Sequence, residues 1–232
     1  AVLAAAPASK VEGQDLTEPE VQEILRQFAE KESEFARARE AYIYTQKVSI
    51  QELTPSGARE GRWEWQADIT FTSDRKRYER VTWAPPSSLR NLTLTPEDME
   101  DLRNVQPFVL TSEDVNEYHV RYLGKQMADE IPSYVFAVKP KNIEKGKRYF
   151  AGLIWVDDRD LQIVKTYGRA TGIAKGQQFP KFETYRSQID GKYWFPVYTA
   201  ADDTLYFENS TQRLKMVVKY DNYKRFEADS QI

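Results

Sequence analysis

The chain has 232 residues, 33 Lys and Arg against 36 Asp and Glu, and a net charge of -3. That balance argues against an electrostatic nucleic-acid binder, and no run of about 18 apolar residues exists to span a membrane. With no cysteine and a single histidine, thiol nucleophiles, disulfide scaffolds and Cys/His metal centres are excluded. The unusual feature is aromatic content: 14 Tyr, 11 Phe and 5 Trp in a hydrophilic chain.

Residues 1–16 are expected to be a signal-peptide remnant or flexible N-terminus. Ala1 to Ala8 is small, apolar and uncharged, and Ala4-Ala5-Ala6 and Ala6-Pro7-Ala8 have the spacing of signal-peptidase sites. Thr17, Pro19 and Glu20 then form a helix start with a capping box. Val21, Ile24, Leu25, Phe28 and Phe35 fall on one stripe, which predicts an amphipathic helix over about residues 18 to 40, lying on a sheet.

After Tyr42 the periodicity becomes two. Trp63, Trp65, Ala67, Ile69 and Phe71 alternate with polar residues, as expected of a strand with one dry face. Similar alternation marks Tyr118 to Tyr122, Tyr134 to Val138 and Leu214 to Tyr220. Residues 148–156 are apolar on both faces, which suggests a strand covered on both sides, with the N-terminal helix as one cover. Turn signals stand at Pro55-Ser56-Gly57, Ser73-Asp74, Gly124-Lys125, Asp157-Asp158, Asp190-Gly191 and Asp202-Asp203. Such short connections suit an antiparallel meander better than βαβ units. One insertion interrupts it: Thr95-Pro96-Glu97-Asp98 starts a short helix with Met99 and Leu102 on its apolar side. The expected fold is mainly β (α+β). A large curved antiparallel sheet carries a long N-terminal helix and a short inserted helix as a lid, in one domain over residues 17–232.

Enzyme chemistry finds no support. His119 falls on the polar side of its strand beside Arg121. The acidic groups Glu97-Asp98-Glu100-Asp101, Asp129-Glu130, Asp157-Asp158-Arg159-Asp160 and Asp202-Asp203 suit turns and helix starts, where carboxylates fit local geometry and the helix dipole. No nucleophile elbow, dinucleotide fingerprint or phosphate loop occurs, so no catalytic residue, metal or cofactor is assigned. Basic residues near Arg75-Lys76-Arg77 and Lys139-Lys141 read as hairpin edges rather than as a nucleic-acid surface.

The remaining reading is collective: a sheet too wide for its own side chains to fill encloses an apolar cavity. The order of segments carries a resemblance. AYIYTQKVSIQEL, WEWQADITF, LGKQMADEIPSYVFAVKPK, YFAGLIWVDDRDLQIVKTYG and FETYRSQIDGKYWFPVYTAADDTLYF follow one another as in the LolA-like family of outer-membrane lipoprotein-sorting proteins. The strongest stretch, Ile154 to Lys165, resembles that family's strand, acidic turn and strand. The resemblance implies an incomplete barrel with helices as a lid. It also implies a periplasmic, non-catalytic carrier of lipid or lipoprotein acyl chains, with envelope membrane proteins as donor or acceptor. The segment Thr171 to Gln178 reads as a loop longer than the compact carriers have, and the family's lid-locking arginine is assigned to no position.

The expected wall is Trp63, Trp65, Ile69 and Phe71 on one strand and Tyr78, Val81 and Trp83 on the next. Leu92 and Leu94 lead to a lid at Met99, Leu102 and Phe108. Each of these taken singly also suits an ordinary core. An envelope interaction or stress-sensing module on the same fold is the alternative function.

Overall fold

A computed structural model describes residues 16–72, 76–173 and 177–226. The expected N-terminal leader, the Ser73-Asp74 turn, Arg75 and the middle of the long loop lie outside these residues. Helix α1 spans Glu18–Ala38. Its first turn is tied by the Glu20 carboxylate, which accepts from the Thr17 N–H at 2.8 Å and the Thr17 hydroxyl at 2.7 Å. Val21, Leu25, Phe28, Ala29, Glu32 and Phe35 make up its buried stripe.

Ten strands follow: β1 Tyr42–Leu53, β2 Arg59–Phe71, β3 Arg77–Trp83, β4 Tyr118–Ala128, β5 Ile131–Pro140, β6 Tyr149–Asp157, β7 Ile163–Thr171, β8 Phe182–Ile189, β9 Tyr193–Tyr206 and β10 Thr211–Arg225. They form one antiparallel sheet in the order β3-β2-β1-β10-β9-β8-β7-β6-β5-β4. The sheet is not closed, and β3 and β4 are its edges. Short hairpins join most neighbours, while β1 pairs with β10 to unite the two ends of the chain. Seven steps separate β2 from β5, about 34 Å in a flat sheet at about 4.8 Å per strand. Yet Trp65 of β2 and Phe136 of β5 belong to one hydrophobic cluster, so the sheet curls around its core. Helix α1 lies inside the curve, with Phe28 stacked on Phe136 at 6.4 Å.

Two turn signals have other outcomes. Gly124 is a bulge within β4, where the register shifts between Tyr122 and Gly124 and φ is 112°; glycine reaches that angle without steric cost. Asp202 and Asp203 lie within β9, paired with Lys215 and Leu214, and the chain turns later, after Tyr206. The second apolar face of β6 is not under α1. Trp155 packs there with Val135, Val164, Leu153 and Trp194 from the sheet itself, and Lys165 lies over the Trp155 ring at 5.3 Å.

Because β3 and β4 are opposite edges, the connection between them must cross the concave side. It carries helix α2, Pro96–Glu100, then a π-helical turn, Asp101–Val105, closed by a bond from the Gln106 N–H to the Asp101 carbonyl at 3.0 Å. Leu102, Val105, Phe108 and Leu110 from this crossing are buried, and Phe108 stacks on Phe150 of β6 at 4.6 Å. The expected lid therefore fills the barrel's middle.

A buried ion pair fastens helix, sheet and crossing together. Glu32 of α1 is 0% exposed and Arg186 of β8 is 4%; their charged groups meet at 3.1 Å. Glu32 also accepts the Ile163 N–H at 3.0 Å, and Arg186 donates to the Phe108 carbonyl. Removing one partner strands the other charge in a dry site, so Arg186→Met is expected to cost about 3–5 kcal/mol in urea unfolding. Combined with Glu32→Met, it is expected to cost less than the two single losses added, because no lone charge remains.

Candidate functional site

The core occupies the centre of the concave face, and open space remains toward its two ends. The even-numbered residues of β1 and β10 face this side: Val48 and Val218 are buried mid-way, with Ile50 and Met216 toward one cleft and Tyr44 and Tyr220 toward the other.

The first cleft has a volume of about 310 Å³, at the lower end of the range of small-molecule sites. Leu92 and Leu94 of the crossing form one wall, with Leu205, Phe207 and Met216 opposite and Phe179 at the side. The wall is hung from one carboxylate. Glu52, fully buried at the end of β1, accepts the N–H groups of Arg90 at 2.8 Å, Asn91 at 2.7 Å and Leu92 at 2.6 Å. Gly61 makes this approach possible, since a Cβ there would stand 2.5 Å from the Ser88 carbonyl oxygen and 2.8 Å from the Glu52 carboxylate. Farther along, α2 begins with Thr95 donating its N–H to Asp98 at 2.8 Å.

Asp101, fully buried, follows and pairs with Arg148, whose Nε donates at 3.0 Å. Burial outweighs that pairing and pushes the Asp101 carboxyl up to about 6. Arg103, on the next turn, donates to Glu79 of β3 at 2.8 and 2.9 Å. Burial works against the Glu79 charge, but hydrogen bonds from Arg103 and Arg77 hold its carboxyl below the ordinary range.

The second cleft, about 200 Å³, lies where the end of α1 meets β1, β3, β9 and β10. Aromatic rings, among them Tyr44, Phe71 and Tyr223, share its lining with Arg39, Arg77 and Arg103.

Of the residues expected in the wall, Leu92 and Leu94 line the first cleft and Phe71 the second. Trp65, Ile69, Leu102 and Phe108 are buried in the main core, and Trp63 and Met99 pack at its margin. Tyr78, Val81 and Trp83 are exposed, at 57%, 53% and 49%. Tyr78 and Val81 stand three apart and so face opposite sides of β3. Trp83 follows a register shift and pairs with Gln66. Glu32, Glu52 and Asp101 are charges that the fold buries fully. For the first two the signal was there: Glu32 interrupts an apolar helix stripe at Phe28 and Phe35, and Glu52 alternates in phase with Val48 and Ile50.

Among the described residues no cluster of three or more His, Asp or Glu is arranged to hold a metal ion. Asp157 instead accepts the Arg159 N–H at 2.7 Å within its turn, Asp160 binds the Trp194 indole N–H at 2.9 Å, and His119 is exposed on edge strand β4. No described helix is long and apolar enough to cross a membrane.

Two consequences are measurable. Glu52→Ala leaves three backbone donors unpaired and is expected to cost at least about 3 kcal/mol, with hydrogen exchange rising first at residues 90–92. Asp101 should titrate near pH 6 by carboxyl carbon NMR, instead of at its ordinary 3.8. Since the fold raises this pKa, the proton is held more tightly in the native state. The stability gained below the unfolded pKa is therefore lost as pH rises through the folded one, so wild type relative to Asp101→Asn should weaken between about pH 4 and about pH 7.

No protein-family model matches the chain, and no curated protein matches it. Among solved structures it is similar to a DUF1329 family protein from Desulfovibrio piger, at 13% identity and a TM-score of 0.45, covering 89% of this chain and 93% of that one. It is also similar to an outer membrane lipoprotein-sorting protein domain from Vibrio parahaemolyticus, at 11% identity and a TM-score of 0.39, covering 87% and 92%. A third is a structure of the Pseudomonas aeruginosa MucA/MucB complex, at 11% identity and a TM-score of 0.27, covering 87% and 100%. None of the three likenesses transfers a residue role.

Proposed function

We propose that the chain is a periplasmic, non-catalytic binder of acyl chains, of the lipoprotein-sorting type. The observation that carries this reading is the cleft of about 310 Å³ lined by Leu92, Leu94, Phe179, Leu205, Phe207 and Met216. Its outer wall is a loop outside the strands, attached to the sheet through Glu52 and through Ser88 on Arg62. Burying a methylene is worth about 0.8 kcal/mol, so a segment of about eight carbons offers on the order of 6 kcal/mol before ordering costs. That suits reversible capture, which a carrier needs. The cargo in this reading is a lipid or acylated lipoprotein, handed between envelope membrane proteins. The motif resemblance supports the periplasmic setting.

The filled centre of the barrel favours a second reading, an envelope interaction module without a transported ligand. Edge strand β3, with Tyr78, Val81 and Trp83 exposed, is the surface such a module would offer to a partner strand.

Displacement of a fluorescent fatty acid, together with native mass spectrometry of protein purified from cells, separates the two. A carrier is expected to retain lipid and to bind the probe at micromolar concentration, and Leu94→Asp, at a half-buried position of the wall, should weaken binding about tenfold or more by charging the wall. Trp65→Asp is expected to unfold the protein instead, because Trp65 is core. No probe binding across a lipid panel overturns the carrier and leaves the module.

A further inference from the structure

The second cleft contains a guanidinium to which the rest of the described fold gives no hydrogen bond. Arg39 ends α1 as its C-cap residue and lines this cleft. Its Nε is buried without a hydrogen-bond partner, and among the described residues its guanidinium has neither a hydrogen bond nor an ion pair. Buried polar atoms are nearly always paired, and a buried charge is costly when it is not. The neighbouring cations differ. Arg77 donates to Glu79 at 2.8 Å, to the Tyr44 hydroxyl at 2.7 Å and to the Gln46 side-chain oxygen at 2.6 Å, and Arg103 shares the same Glu79. Glu40, also on the cleft, is engaged elsewhere. Arg103 also meets Glu100 at 3.7 Å, so of the three guanidiniums on the cleft Arg39 is the one without a hydrogen bond or ion pair among the described residues.

The surroundings define what would neutralise it. Burial lowers the Arg39 pKa and outweighs the opposing pull of Tyr44, Glu40 and Glu32, yet a guanidinium stays protonated, so the site answers with an anion rather than by losing its proton. Rings of Phe35, Tyr44, Phe71, Phe195 and Tyr223 surround the opening, and several have no free polar group to offer. Phe35, Phe71 and Phe195 carry no polar group, and Tyr223 donates to the Pro196 carbonyl at 2.7 Å, whereas the Tyr44 hydroxyl accepts from Arg77 and keeps its own proton to donate. Glu40 on the same cleft disfavours a dianion, and a bare inorganic ion would leave the aromatic wall uncovered.

We propose that this cleft binds a monoanionic oxyanion head attached to an apolar body, held by Arg39 and packed between the aromatic rings. The head is a carboxylate or a phosphodiester, both of which accept two parallel hydrogen bonds from a guanidinium. At about 200 Å³ the cleft takes the head and a few carbons. It lies at the other end of the concave face from the acyl cleft, so the inference stands whether or not that cleft carries lipid.

The test is calorimetric titration of the full chain with benzoate and with benzyl alcohol, which match in size and differ in charge. Benzoate is expected to bind and benzyl alcohol to bind at least tenfold more weakly, a difference set by one charge-assisted hydrogen bond. Arg39→Leu is expected to abolish that difference, while Leu94→Asp in the acyl cleft leaves it intact. A parallel titration with dihexanoylphosphatidylglycerol identifies the source: tighter binding than benzoate, lost in Arg39→Leu, assigns a lipid phosphodiester, and weaker binding assigns a free acid. Should Arg39→Leu fail to fold, the Nε resonance of Arg39 in wild-type protein supplies the reading, since it should shift on adding benzoate and stay fixed with benzyl alcohol. Equal binding of the charged and neutral probes, no binding of either anion, or an unmoved Nε resonance overturns the proposal.

Discussion

The fold depends on a buried contact between Glu32 and Arg186. A helix, a sheet and a long crossing connection have no covalent reason to meet, yet this one pair touches all three: Glu32 on α1, Arg186 on β8, and the Phe108 carbonyl of the crossing. The Ile163 N–H of β7 is drawn in as well. A low dielectric makes each of these bonds strong and makes a missing partner expensive. Apolar packing alone would hold α1 in the trough with less say over its register. Charge pairs require a specific seat, and the helix has one.

The open topology then decides where ligands fit. With β3 and β4 at opposite edges, the chain has to cross the trough, and it does so in contact with successive anchors. Glu52 holds its start, Arg148 and Glu79 hold the π-turn, Thr184 donates to the Gln106 carbonyl at 3.0 Å, and Ser33 of α1 accepts the Ser112 N–H at 2.9 Å. What the crossing places in the middle of the trough is core. What it leaves uncovered are two ends, one apolar and one cationic. A curved sheet of this width can hold a long continuous cavity; this one is divided by its own connection.

Much of this was legible in the sequence. The capped stripe from Val21 to Phe35 specified α1, and the alternation from Trp63 to Phe71 specified β2 and its dry face, because both periods follow from backbone geometry. The helix at Pro96 was marked by its capping residues. The clefts were harder to see. Alternation reports which side of a strand faces inward, but a residue facing inward borders either packed atoms or open space, and only its neighbours across the trough determine which. Hence Trp65 and Ile69, read as wall, are core, whereas Phe179 and Phe207, from late in the chain, sit at the core's margin and line the apolar cleft. Gly124 and Asp202 mark turns by composition, yet both lie inside strands, because long ladders overrode local turn chemistry.

The aromatic-rich composition, the lack of cysteine and the two periodicities determined on their own a mainly β protein with a leading helix and a greasy inner face. They follow from short-range sterics and from the need to hide apolar surface, both of which act on neighbours in sequence. The tertiary structure alone decided that the inner face is mostly filled, which groups the carboxylates at positions 32, 52 and 101 bind inside it, and that the Arg39 Nε has no hydrogen-bond partner. Those outcomes depend on distances between residues far apart in the chain, which no local pattern encodes.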